Sequence, residues 1–219
     1  MCQLERTCYI FGAGACASLE EPPAQKDLVI AADGGYRTVQ AMGLQAHLVV
    51  GDFDSLGYVP EHPNVVRFPR EKDDTDLGLA LRLGQERGFR RFIIYGALGG
   101  RLDMTLASLQ LLAGLARKGL EGYLMDAAGT VVTAVCNGGL HFSGNCRGTF
   151  SVFCHGESAQ GVRETGVAYP LEEAELTCDI PLGVSNEWIG QAAEISVRTG
   201  TLLVFWTGTP ADVTRTSEL

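Results

Sequence analysis

Nowhere in this chain does an apolar run reach the length needed to cross a bilayer, and the opening residues, Met1-Cys2-Gln3-Leu4-Glu5-Arg6, carry no basic segment leading into an apolar signal core. A cytoplasmic protein is expected. Clustered basic charge is lacking too: 17 Lys and Arg stand against 26 Asp and Glu, a formal charge of −9, which argues against a nucleic-acid surface. The seven cysteines (2, 8, 16, 136, 146, 154 and 178) form no C-x-x-C pair and have no His at zinc-finger spacing, so neither a disulfide framework nor a zinc site is indicated. Cys8 and Cys154 lie inside apolar stretches, where a reduced thiol packs as a small hydrophobe. There is no clean internal repeat and no low-complexity tract.

What the chain does have is a change of texture near Ala127-Ala128-Gly129. Before it, short apolar runs alternate with helical stripes: Cys8-Tyr9-Ile10-Phe11, Leu28 to Ala32, Leu48-Val49-Val50, Val65 to Phe68, Arg91 to Tyr95 and Tyr123-Leu124-Met125 read as strands. Helices are expected from Tyr36 to Met42, after Asp76, and along Leu102, Leu106, Leu109, Leu112 and Leu115. Strand-helix-strand succession implies a largely parallel sheet covered on both faces. After the break come β-prone runs between glycines, at 131–135, 149–153, 194–197 and 202–206, with Thr199-Gly200 expected to turn the last two into a hairpin. The expected fold is α/β: residues 1–128 a Rossmann-like sheet with flanking helices, residues 129–219 a smaller all-β sandwich or barrel. Basic charge is concentrated in the first part, which holds 13 of the 17 Lys and Arg and 16 of the 26 acids, leaving 4 against 10. Groups able to hold a phosphate are therefore mostly in the first part.

Gly51-Asp52-Phe53-Asp54-Ser55 is the centre of the first part. It follows an apolar strand, so it should sit at the rim of the sheet, where open α/β folds place ligands. In extended chain a spacing of two sends both carboxylates to one side, and charges held that close repel unless a cation neutralises them. A hard cation such as Mg2+, its shell completed by substrate phosphates, suits that need. A polar turn of ordinary turn residues is the plain alternative. Gly12-Ala13-Gly14-Ala15 forms a turn whose exposed amides could approach a phosphate, and with Asp33 it imitates part of a dinucleotide fingerprint. In Glu71-Lys72-Asp73-Asp74-Thr75-Asp76, Asp73 or Asp74 is expected to cap the helix that follows, while Lys72 offers positive charge. Gly99-Gly100-Arg101 at the start of the next helix combines bare amides with a planar bidentate donor, the parts of a phosphate-binding loop. In the second part, Gly183-Val184-Ser185-Asn186 is a small polar turn able to read a heterocycle edge, and Trp188 is either core or a stacking surface.

Taken in order, ADGG (32–35), GDFDS (51–55), KDDTD (72–76), GALGGRLD (96–103) and GVSN (183–186) resemble the thiamin pyrophosphokinase family. That resemblance implies transfer of a pyrophosphoryl group from ATP to thiamin, giving thiamin diphosphate and AMP, with Mg2+, in a homodimer whose sites lie between subunits. By position, it implies Asp52, Asp54 and Asp76 as metal-binding acids. Asp33, Gly34, Gly35, Lys72, Asp73, Thr75, Arg101 and Asp103 would line the nucleotide and phosphates, and Ser185 and Asn186 would contact the thiamin pyrimidine. Met104 stands where many bacterial members have His after GGRxD, and Asp74 is an additional acid with no assigned role. Phosphoryl transfer needs alignment and charge neutralisation more than covalent help. Asp73 and Asp103 are the candidates to take the hydroxyl proton. Two rival readings are an aspartyl-phosphate phosphatase, for which D-x-D-S after a strand would supply the nucleophile Asp52, and a non-catalytic sensor of nucleotide or thiamin.

Overall fold

The computed structural model describes residues 6–16, 19, 22–69, 71 and 73–216. It is a mixed α/β fold, rich in sheet with few helices, and divides into two compact units: Met1–Ser108 with Leu124–Ala128, and Leu109–Tyr123 with Gly129–Leu219.

In chain order the first part contains β1 (Thr7–Phe11), β2 (Leu28–Ala32), α1 (Gly35–Ala41), β3 (Leu48–Gly51), β4 (Val65–Arg67), α2 (Asp76–Glu86), β5 (Arg91–Tyr95), α3 (Leu102–Arg117) and β6 (Glu121–Met125). Strands β5, β1, β2, β3 and β4 lie side by side in that order, each parallel to the next. Ile10 is opposite Ile30 on one side and Ile94 on the other, and all three are buried. This accounts for continuous apolar runs in place of alternation, since both faces of the central strands are covered. The helix after the acidic stretch is capped by Thr75, whose hydroxyl accepts the Gly78 N–H at 3.0 Å, and not by Asp73 or Asp74 as expected. Asp74 is one residue too early to reach the third helical amide. It accepts the Thr75 N–H at 2.8 Å instead and pairs with Arg82.

The second part contains β7 (Thr130–Phe142), β8 (Thr149–Cys154), β9 (Ser158–Thr165), β10 (Leu171–Thr177), β11 (Asn186–Glu187), β12 (Ala193–Thr207) and β13 (Val213–Thr216), all paired antiparallel. The expected hairpin at Thr199-Gly200 is absent: one long strand, β12, runs through it, beside β7 for its whole length, with a register shift between Val197 and Thr201. Gly200, at φ +116, supplies the irregular backbone, and its N–H is taken by Asn137 Oδ1 at 2.9 Å. The interruption is a bulge, so the chain bends without reversing. Trp188 is core: 7 % exposed, it stacks on Phe150 at 4.1 Å between ring centres and meets Phe142 at 4.7 Å. Trp206 closes the cluster edge-on to Phe142. The two tryptophans and two phenylalanines supply much of this unit's apolar burial.

Candidate active site

The loops that follow β1, β2, β3 and β5 meet at the carboxyl ends of the parallel strands and enclose a cleft of about 500 Å³. Its size is that of a small-molecule site. The acidic wall comes from adjacent strands. Asp33, just past β2, is 6 % exposed and sits at φ +45, with its N–H on the Val50 carbonyl at 2.7 Å. Its Oδ1 is buried and has no hydrogen-bond partner. Asp52 and Asp54, just past β3, bring carboxylate oxygens within 4.8 Å of each other and of Asp33.

The reason Asp52 and Asp54 share a side differs from the expected one. The strand ends at Gly51, and Phe53 between them adopts φ +66 with its ring buried. A turn with its apolar middle residue plugged into the core, and not extended chain, turns both acids to the cleft. Asp54 N–H closes the turn on Asp52 Oδ1 at 3.1 Å.

Three carboxylates packed this closely, one with a buried oxygen that nothing satisfies, suit a small hard cation held by oxygen ligands. Asp76, at the first position of α2, lines the same cleft but is not part of the three-carboxylate group. Thr75 lines it while capping α2. Asp73 is exposed and does not line it, and Lys72 lies outside the described residues.

Other loops contribute differently from expectation. The Gly12 and Gly14 amides are not available to a phosphate: they donate to Tyr95 O at 2.8 Å and Gly96 O at 2.9 Å, tying the β1 and β5 loops together. Gly34 and Gly35 do not line the cleft. They are packing positions, since a Cβ on Gly34 would come 2.8 Å from Ala13 Cβ and one on Gly35 would overlap the Phe11 carbonyl. Gly99 and Gly100, at φ +76 and +63, form the turn that brings Arg101 to the rim. There Arg101 is clasped by Asp103, Nε to Oδ1 at 3.2 Å and Nη2 to Oδ2 at 2.6 Å. The hydrogen bond from the guanidinium holds the Asp103 carboxyl below the usual carboxylate range.

Two features went unread in the sequence. Met104, Ala107 and Ser108 of α3 form one wall of the cleft, with the Ser108 hydroxyl turned back to the Met104 carbonyl at 2.9 Å. Arg67, at the end of β4 opposite Gly51, faces a second hollow shared with Asp52 and Asp54. The strand-end rule that found the aspartates applies equally to Arg67.

In the second unit Asn186 is 5 % exposed and spends its whole carboxamide within the chain. Oδ1 accepts from Tyr169 N–H (3.0 Å) and Glu187 N–H (2.8 Å), while Nδ2 donates to Tyr169 O (2.8 Å) and Glu164 Oε2 (2.7 Å). Ser185 is exposed at φ +61, its N–H on Ser151 Oγ at 3.2 Å.

A parallel α/β sheet with clustered carboxylates at its strand ends and an arginine on the rim of the same cleft is an arrangement suited to a phosphate-transferring enzyme. Comparison with known proteins makes this specific. The family model "Thiamin pyrophosphokinase, catalytic domain" matches residues 20–124 and "Thiamin pyrophosphokinase, vitamin B1 binding domain" matches residues 140–202. Thiamine pyrophosphokinase of Bacillus subtilis (strain 168) is 28% identical over 184 residues, 81% of this chain and 86% of that one. The crystal structure of thiamine pyrophosphokinase from Bacillus subtilis superposes with a TM-score of 0.82 at 24% identity, covering 93% of this chain and all of that one. A thiamin pyrophosphokinase family protein from Enterococcus faecalis gives 0.77 at 26% identity, covering 94% of this chain and 100% of its own. The chain belongs to the thiamin pyrophosphokinase family.

Proposed function

We propose that this protein transfers the pyrophosphoryl group of ATP to the hydroxyethyl oxygen of thiamin, producing thiamin diphosphate and AMP. The observation that carries the reading is the Asp33, Asp52 and Asp54 cluster at the strand ends, with the unsatisfied Asp33 oxygen, inside a chain matched by both thiamin pyrophosphokinase domains. These carboxylates, with Asp76 at the same cleft, would hold Mg2+. Bound there, the ion would neutralise phosphate charge and orient the transferred group. Arg101 would exchange Asp103 for phosphate oxygens, with Thr75 lining the same cleft and Lys72 a further phosphate ligand by its motif. Asp73 and Asp103 remain the acids proposed to take the thiamin hydroxyl proton, Asp103 once Arg101 has released it to the phosphates.

Residues 1–128 are read as the Rossmann-like catalytic, ATP-binding domain and 129–219 as a β-sandwich that takes thiamin. Support for the sandwich comes from β12, which pairs with β9 over Glu194–Thr199 and with β8 over Leu202–Trp206, as a strand passing from one layer to another does. Ser185 is an exposed polar member of the turn read as vitamin-facing, and Asn186, buried beside it, braces the turn. A homodimer with shared sites is favoured by exposed apolar side chains on both parts: Leu102 and Leu106 on α3, and Ile180, Leu182 and Ile189 around the 183–187 turn. The six cysteines among the described residues, all free, fit a reducing, cytoplasmic setting, and among those residues no helix is long and apolar enough to cross a membrane.

Incubation with ATP, Mg2+ and thiamin, followed by separation of AMP from ADP, tests the reading. AMP formed one-for-one with thiamin diphosphate supports it. ADP would indicate a single-phosphate kinase, a trapped phospho-Asp52 a phosphatase, and binding without AMP a sensor.

A further inference from the structure

Glu164 is a buried acid that the proposed chemistry does not use. It lies on β9 between Leu171 of β10 and Ile195 of β12, and it is fully buried. One oxygen, Oε2, accepts from Asn186 Nδ2 at 2.7 Å, while Oε1 has no partner. Burying a carboxyl with half its capacity unmet opposes folding, so the group calls for a purpose beyond stability. Its single bond fixes which end of the Asn186 amide is donor and which acceptor. With Nδ2 turned to Glu164, Oδ1 must face the Tyr169 and Glu187 amides, and the second Nδ2 hydrogen meets Tyr169 O. The outcome is a clamp on the backbone of Tyr169, a residue 64 % exposed, and on the amide of Glu187, two residues past Ser185.

We infer that Glu164 is a positioning residue for thiamin: through Asn186 it sets the turn that presents Ser185 and Tyr169 to the vitamin. The inference rests on the reading of the 183–187 turn as vitamin-facing. Asn186 is then the strut of the turn, its polar atoms all engaged inside the chain, and the ligand-reading atoms are those of its neighbours. Direct hydrogen bonding by Asn186 to the pyrimidine would first require breaking one of these four bonds.

The test uses two variants of the whole chain. Glu164→Met fills the same space without an acceptor, and Glu164→Gln keeps an oxygen for Asn186 Nδ2. With Mg2+ and ATP, Glu164→Met is expected to raise the KM for thiamin tenfold or more, with kcat and the KM for ATP within twofold of the parent and Glu164→Gln restoring the parent value. An unchanged thiamin KM, or equal damage to both substrates, overturns the inference, as does failure of Glu164→Met to fold, which would make the carboxyl structural. Amide exchange distinguishes this outcome from failure of the thiamin reading. Tyr169 and Glu187 N–H groups should exchange faster in Glu164→Met and normally in Glu164→Gln whether or not thiamin is a substrate. Should the clamp loosen in that way while neither variant nor parent makes AMP, the vitamin reading fails and the positional role of Glu164 toward thiamin fails with it. Equal exchange in all three proteins overturns the clamp itself.

Discussion

Arg101 and Asp103 hold each other by two hydrogen bonds across a single turn, at 3.2 and 2.6 Å, with both head groups in solvent. An exposed pair of this kind contributes little to folding, but it keeps a planar fork extended at the rim of the cleft. Phosphate oxygens fit that fork as well as a carboxylate does. Asp103→Asn should therefore leave thermal stability close to the parent's. Once Arg101 turns to phosphate, Asp103 is released; turnover should fall roughly 10²–10⁴ if Asp103 takes the thiamin proton, and less than about tenfold if Asp73 does. Thermal unfolding and steady-state kcat check the two halves, and a loss in the larger range would assign the proton transfer to Asp103.

Asp54→Asn addresses the acidic cluster. In divalent-free buffer the substitution removes one of three mutually repelling carboxylates, so the melting temperature should stay level or rise. Addition of Mg2+ and ATP should raise the parent's stability, by about 2.7 kcal/mol at a hundredfold excess over Kd, with little effect on the variant. Turnover should drop at least about a hundredfold, the scale on which a transition-state charge contact is lost. An equal ligand-induced shift in both proteins would remove Asp54 from the metal site.

The parallel half was legible because its signals are local: apolar runs of strand length, glycines ending strands, acids and an arginine immediately after them. What failed depended on contacts between distant segments. Gly12 and Gly14 looked like open amides because no sequence rule shows that the Tyr95 and Gly96 carbonyls would take them. The turn chemistry of Thr199-Gly200 was read as a reversal, yet β7 on one flank and β8 and β9 on the other hold β12 as one continuous strand and reduce the turn to a bulge. Strands β9 and β10 were missed since acids at 164, 172, 173 and 175 mask their period, and the inward-facing acid, Glu164, is the one the fold buries. Asp52 and Asp54 were paired correctly by spacing for the wrong reason, because φ +66 at Phe53 is not a feature that local preference suggests.

That backbone conformation yields a two-variant experiment. A Phe53→Ala substitution should cost about 3–5 kcal/mol through loss of the buried ring. Phe53→Gly loses the same ring, but glycine adopts a positive φ without the roughly 1 kcal/mol penalty of an L side chain. Phe53→Gly should therefore be as stable as Phe53→Ala or more so, reversing their usual order. Urea unfolding of both proteins decides it, and a clearly more stable Ala variant would mean that residue 53 does not hold the left-handed conformation in solution.

Glu164 gives the chain a pH dependence whose sign follows from burial. Burial pushes its carboxyl up to about 7, against 4.5 for the unperturbed group, with the Asn186 hydrogen bond opposing the rise. Between those values the folded chain keeps a proton that the unfolded chain releases, so stability must decrease as pH rises through the window. Below about 4.5 both states are protonated and the penalty vanishes; above about 7 it is complete, at no more than about 3 kcal/mol by the free-energy equivalent of the shift. Glu164→Gln cannot ionise, and subtracting its unfolding free energy from the parent's isolates this group from the other acids. The variant should match the parent near pH 4.5 and exceed it progressively toward pH 8. A difference that stayed flat, or that favoured the parent at high pH, would show that Glu164 is charged and satisfied in the folded chain, contrary to its buried and half-partnered position.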